Sequence, residues 1–396
     1  MIDAIFSPEA LAEIRAYKDP LYASRLAYEL ISLGVWALVL GVGVVPLYAW
    51  SGRMTARFDR RFSSLRSAPI VRTVPRALDR IWGGPGWGAA VLFLIVLEQA
   101  NMLAFLPLDF YFGFIHERNF GMSTQSLGSY GWDYSKSVVI AMVPLAALAF
   151  GMLGLARRLS KWWLIIGGVG AFGLLFSATI DPYRSQVYFD QVPLPPGEVR
   201  EAITALMRKA DIDFKDVLVE KTLSKTVRVQ AYFAGKGPTR TIVLNDALLK
   251  ELTTPEILAV VGHEAGHVHE RRWLGQLGST LGLLGFLYVI ELLLRLVARR
   301  GWWGVRERAD VRTLPLVFVV FWIATLVISP VSGAFSRHRE LEADQFALRL
   351  TGDVPTFRQM LIKLARVNKM DPDPPAWIVL KGWSHPPIRE RLEAIR

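Results

Sequence analysis

Six long apolar stretches divide the chain, at residues 26–50, 88–112, 137–156, 162–180, 275–298 and 314–331. Each is close to the roughly 20 residues a helix needs to cross the hydrocarbon of a bilayer. The first carries Trp36 inside it and Tyr48 and Trp50 at its end, where an aromatic belt would lie. The fifth carries Gly278 and Gly282 at the spacing that lets two helix backbones approach. Residues 1–25 mix acids and bases and read as a polar, partly helical lead-in, with no cleavable signal peptide. Between the fourth and fifth stretches the pattern changes. Residues 181–196, with Pro182, Pro193, Pro195 and Pro196, read as a linker, and 197–210 has helical periodicity. Residues 216–220, 226–233 and 240–244 read as strands, with a G-K-G-P turn between the last two.

The expected architecture is an α-helical multi-pass membrane protein with about six spans and a small mixed α+β domain. Residues 1–180 would form a four-helix membrane domain, 181–274 and 334–396 two parts of a soluble-type domain, and 275–333 two further spans. Composition agrees: 52% of 396 residues are hydrophobic and only 20% charged. With no cysteine, disulfides and thiolate metal sites are excluded. The net charge of +11 is concentrated in loops. Residues 51–87 hold eight arginines against two aspartates, 157–161 three basic residues, and 299–312 five arginines against one Glu and one Asp. In this count all three fall on one side of the membrane, so their role is to fix orientation rather than to bind nucleic acid. That assigns them to the cytoplasm, and the soluble part to the opposite face.

The candidate chemistry starts at Thr254, in T-P-E-I-L-A-V-V-G-H-E-A-G-H-V-H-E-R-R-W. Thr254 reads as an N-cap, with Pro255 and Glu256 suited to a first turn. His263 and His267, four apart, share one helical face, and Glu264 stands beside them. This H-E-x-x-H spacing suits two imidazoles for Zn²⁺ and a carboxylate to take a proton from metal-bound water. A third ligand is needed. After the last span, Glu340 and Asp344 are four apart, so Glu340 could ligate while Asp344 orients a ligand histidine; alternatively they lie on an exposed charged helix. His385 and Arg391 could donate to the oxyanion of a tetrahedral intermediate, or be a loop histidine and a surface arginine. The strand at 227–233 could hold a peptide by edge addition. Glu98, Gln99 and Asn101, in mid-span with Asp109 near the end, either bond neighbouring helices or line a hydrated chamber. His116 reads as a loop histidine without ligand partners. A non-catalytic transporter or scaffold with a relic site is the competing class, and the intact motif argues against it.

With these pieces assembled, the chain resembles the integral-membrane type I CaaX prenyl endopeptidases, zinc peptidases that process isoprenylated C-termini. HtpX-type membrane proteases are a more distant likeness. The resemblance rests on Y-F-D-Q-V-P-L-P-P-G-E-V at 188–199, Q-A-Y-F-A-G at 230–235, T-I-V-L-N-D-A-L-L at 241–249, H-E-A-G-H at 263–267, S-R-H-R-E-L-E-A-D at 336–344 and S-H-P-P-I-R-E-R-L at 384–392. It implies a gluzincin-type zinc endopeptidase domain and a water-filled intramembrane chamber with one Zn²⁺ at its end. By position it implies His263, His267 and Glu340 as ligands, Glu264 as general base, Asp344 behind a ligand, and His385 and Arg391 as transition-state stabilisers. Gln230, Ala231 and Tyr232 would be substrate-binding, with Gln230 standing where the family usually has Asn. Eukaryotic members have seven spans against six here, and an active site open to the cytosol, opposite to the arginine pattern of this chain. The expected partners are a peptide or membrane-protein substrate and the lipid bilayer, with quality control or processing in a bacterial inner membrane ranked before CaaX processing.

Overall fold

The computed structural model describes residues 2–61, 87–270 and 272–395; most of the basic stretch expected at 51–87 lies outside them. Among the described residues, five helices are long and apolar enough to cross a membrane. They are α1 (Pro8–Arg61), α2 (Trp87–Asn119), α3 (Leu127–Arg158), and the later α8 (Arg272–Arg300) and α9 (Leu314–Thr351). The sixth expected span is α4 (Trp162–Gln186), whose described apolar part is Trp162–Phe176.

Four of these helices outrun the apolar stretches that signal them. The lead-in is not separate from the first span: α1 runs through 54 residues, interrupted only by a π-turn at Val39–Gly43. Its first turns are amphipathic rather than apolar, and Ile14 is buried in the soluble core while Tyr17 and Tyr22 are buried nearby. The stretch at 113–135 is mostly helical too. His116 closes a π-turn (Tyr111–His116), buried and stacked on Tyr17 with its Nε2 2.9 Å from the Tyr17 carbonyl. Ser126 then caps α3 by accepting from the Ser129 amide, so that helix starts ten residues before its apolar part. Most useful for function, α9 continues unbroken from span to charged segment despite Pro330, so Glu340 and Asp344 ride on the membrane helix itself.

The soluble part is built on a four-stranded sheet, in order β1-β2-β4-β3. β1 is Gln191–Pro193, β2 Asp216–Glu220, β3 Ala231–Ala234 and β4 Thr241–Asn245. β2 and β4 are parallel, the outer pairs antiparallel. Val217, Val219, Ile242 and Leu244 point by strand alternation into one core with α5 (Glu198–Lys209) and α7 (Thr254–Val268). α6 (Asp246–Glu251), α10 (Val354–Val367) and α12 (Ile388–Ala394) close it, with α11 (Ala376–Leu380) leading into the last loop. β1 lies in the Pro-rich linker, unforeseen because proline suits only an edge. Of the expected strand 226–233 only the end pairs with β4. Before it, Thr226 makes a lone bridge to Ser123, and the Asn368 side chain ties both backbone groups of Val229, at 2.8 and 3.0 Å. A second core, including Trp36, Phe93, Leu153, Trp162, Ile290 and Leu294, fills the far end of the membrane helices.

Candidate metal centre

α7 begins one residue earlier than the sequence suggests. Thr253, not Thr254, is the N-cap, because the Glu256 carboxylate reaches back to its amide at 2.8 Å and its hydroxyl at 3.0 Å. The helix also ends at Val268 rather than running on, and a new helix starts at Arg272. Its face toward α9 is stripped of side chains. A Cβ on Gly266 would lie 2.7 Å from Ala343 Cα, and one on Gly262 3.5 Å from Ala347 Cα. Glycines and alanines four apart on both helices thus let the backbones close, which carries Glu340 up to the two histidines.

The three side chains converge. Their ligand atoms lie within 4.8 Å of one another, the one such cluster among the described residues. His263 Nε2 is 3.3 Å from Glu340 Oε2, and His267 Nε2 is 3.5 Å from Glu340 Oε1. Ligands at zinc distance on a tetrahedron stand about 3.3 Å apart, so the spacing fits. Glu340 Oε2 is buried and accepts no hydrogen bond, although His385 Nδ1 lies 2.9 Å away outside donor geometry. A buried carboxylate oxygen without a donor is costly unless a cation completes it. Two imidazoles and that oxygen are a fitting donor set for a divalent metal.

Behind the cluster the two imidazole rings are held. His263 Nδ1 meets Asp344 Oδ1 at 2.7 Å, and Asp344 is gripped by Arg391 through Nε at 2.8 Å and through Nη2. Burial opposes charge on His263, but the hydrogen bond to Asp344 and the neighbouring Glu340 carboxylate outweigh it and lift its pKa to about 9. His267 Nδ1 meets Glu270, which also accepts from Arg339. Glu270 was not foreseen: in H-V-H-E-R-R it reads as one charge in a solvated run. Glu264 stands in the cavity wall, where burial raises its pKa against the pull of His263 and His267.

A cavity of about 400 Å³ opens over these groups. Gln230, Ala231 and Tyr232 form one side of it, the apolar side chains Met360, Leu361 and Leu364 of α10 another, and His385 and Arg391 border it. β3 is an edge strand of the sheet, and Ala231 and Tyr232 at its start line the same space. The Tyr232 hydroxyl donates to Glu220 at 2.9 Å, on the side facing β1. Every foreseen site residue is therefore in the cavity wall or, as with His267 and Asp344, directly behind it. The loop that carries His385 is keyed onto α9. Gly382, at φ 106°, packs against Gly333, where a Cβ would come within 2.8 Å of it. Arg337 donates to the Trp383 carbonyl at 2.8 Å.

Among the mid-span polar groups, Gln99 donates to Met142 Sδ at 3.1 Å and Asp109 accepts from the Tyr28 hydroxyl at 2.5 Å. For those two, helix-to-helix bonding is the observed arrangement.

Comparison with known proteins places this geometry in context. The model of peptidase family M48 matches residues 193–396, and one described as CAAX prenyl protease N-terminal, five membrane helices, matches residues 2–190. The described residues of that second region hold four long helices, α1 to α4. An uncharacterized metalloprotease, YhfN, of Bacillus subtilis is 32% identical over 307 residues, covering 76% of this chain and 72% of that protein. The human CAAX prenyl protease 1 homolog is 24% identical over 384 residues, covering 81% of this chain and 78% of that one. The fold matches the crystal structure of S. mikatae Ste24p with a TM-score of 0.72 at 18% identity, across 98% of this chain and 99% of that one.

Proposed function

The chain belongs to peptidase family M48 and is a multi-pass membrane metallopeptidase, and on that premise we propose that it holds one Zn²⁺ on His263, His267 and Glu340 and cleaves peptide bonds of membrane-associated substrates. The observation that carries this is the convergence of those three ligand groups at the floor of a cavity edged by Glu264 and a free strand. When bound, the metal supplies Lewis acidity to the scissile carbonyl and to the attacking water. The chain's residues do the rest. β3 receives the peptide as an added strand, so backbone hydrogen bonds rather than side chains set its register. Gln230, exposed beside that edge, contacts the substrate in place of the family's usual Asn. Glu264 takes a proton from the water and hands it to the leaving amine, a task helped by its raised pKa. His385 donates to the developing oxyanion, and Arg391 adds positive charge while fixing His263 through Asp344.

We place the protein in a bacterial inner (cell) membrane, with membrane-protein quality control or processing as its task. Each of the five spans buries only 11% to 28% of its most apolar window inside the molecule. The remaining faces are free to meet lipid or a chamber between the helices, and a chamber of that kind would admit a chain released from the bilayer. Relatives named CAAX prenyl protease 1 favour a second reading, removal of C-terminal residues from prenylated peptides. Cleavage of a prenylated CaaX peptide, compared with an unprenylated membrane-protein fragment, separates the two. Glu264→Gln is expected to keep about one Zn²⁺ per chain and to lose roughly 10²–10⁴-fold in cleavage of whichever substrate is used. Wild-type rates in that variant would remove Glu264 as the base.

A further inference from the structure

We propose that Glu270, held by Arg339, is a positioning residue for His267, the counterpart on that ring of Asp344 and Arg391 on His263. The proposal rests on His267 being a metal ligand. The alternative is an ordinary ion pair that pins the end of a helix.

Three observations favour positioning. The Glu270 side chain is only 6% exposed although it lies beyond the end of α7, in a run of charged residues. Both of its oxygens are used: Oε1 faces His267 Nδ1 and Oε2 accepts from Arg339 Nη2. An Nδ1–H directed at Oε1 leaves the Nε2 lone pair facing Glu340, where the metal belongs. A buried carboxylate is tolerated only when paired in this way. The third observation is the origin of the arginine. Arg339 immediately precedes Glu340, so one turn of α9 delivers the third ligand together with the cation that anchors the partner of the second. The same helix supplies Asp344 one turn later for the first ligand. Each ligand imidazole therefore carries a carboxylate and an arginine behind it, and both chains of contacts pass through α9. Glu270 also sits two residues before α8 begins, so the orientation of His267 is set where the zinc helix hands over to a membrane span.

The test uses the full chain, purified in detergent, stripped of metal, and titrated with Zn²⁺ against a chromogenic chelator. Glu270→Ala is expected to bind Zn²⁺ about 10–100-fold more weakly, and Arg339→Ala to weaken binding less. The thermal midpoint of the metal-free protein should stay at the wild-type value. A folded Glu270→Ala protein with wild-type Zn²⁺ affinity would overturn the proposal, as would a fallen metal-free midpoint with affinity unchanged. Should Glu270→Ala fail to fold, Glu270→Gln decides: it keeps the size and one acceptor, and several-fold weaker binding is expected. Equal affinity there overturns the assignment. Wild type that binds no Zn²⁺ would instead overturn the metal-site reading beneath it, and His267→Ala that binds as wild type would do the same.

Discussion

Glu256 never reaches the cavity, yet it decides where α7, the helix of His263 and His267, begins. Its carboxylate accepts from Thr253 and from Lys363 Nζ at 2.9 Å, and against the penalty of burial these bonds hold its pKa below the ordinary glutamate value. A depressed pKa contributes stability that is present above the unfolded value of about 4.3 and is lost as pH falls through the folded one. Glu256→Gln should therefore cost about 1 kcal/mol at pH 7, and the difference from wild type should begin to shrink below about pH 4.3 and vanish only once pH has fallen past the lowered folded value, as read from thermal midpoints across that range. His385 poses a question of catalysis instead. It is half-exposed and stands 2.9 Å from Glu340 Oε2, on a loop anchored by Arg337 and Gly382. His385→Ala is expected to lower kcat about 10²-fold, with metal content unchanged; an unchanged kcat would count against its oxyanion role. At this scale the candidate ligands were legible because helical spacing alone puts His263 with His267 and Glu340 with Asp344 on shared faces. Glu270 was not, since its meaning depends on the chain turning back beyond α7, which no periodicity records.

The crossing of α7 and α9 is the element on which the site depends, and its tolerance differs sharply between two glycines. At Gly266 an added methyl would stand 2.7 Å from the Ala343 backbone, which cannot rotate away. At Gly262 the nearest atoms are at 3.5 Å, an ordinary contact. Gly266→Ala should therefore force the helices apart, costing about 1–3 kcal/mol, and should release the metal because Glu340 moves with α9. Gly262→Ala should be neutral or gain up to about 1 kcal/mol from helix propensity. Metal content and thermal midpoints of the two variants check the contrast; equal behaviour would show that the crossing does not control the site. The motif named the histidines, but the need for Gly266 appears only once Ala343 is known to face it. Strands were harder to read. β1 hides in a Pro-rich linker, and residues 226–230 have strand-like alternation, yet they are held by the Asn245 and Asn368 side chains, isolated backbone bonds to Met122 and Asn245 and one bridge to Ser123 instead of a ladder.

Across the whole molecule, charge and metal occupy opposite ends. The turn at 157–161 and the loop at 299–312 are stitched together. Arg157 donates to the Ala309 carbonyl at 3.1 Å, Arg308 to that of Leu159 at 2.9 Å, and Arg308 and Arg295 both pair with buried Glu291 at 2.7 Å. The first span joins this end, with Trp303 donating to the Leu40 carbonyl and Arg312 lying over Tyr48, and its last turn carries Arg60 and Arg61. From Leu314 at this end, α9 rises roughly 39 Å to Glu340, a bilayer's thickness. Short loops rich in arginine stay in the cytoplasm, so the metal centre and the C-terminus should face the other side. A C-terminal alkaline phosphatase fusion, active only outside the cytoplasm, is then expected to be active, and a fluorescent protein that folds only in the cytoplasm to stay dark at the same position. The reverse pair of results would mean that the arginine-rich end is exported and the cavity receives its substrates from the cytoplasm. That outcome would bring this chain's orientation into line with that expected for eukaryotic members, and would leave the site chemistry untouched, because no step in it depends on which compartment supplies the peptide.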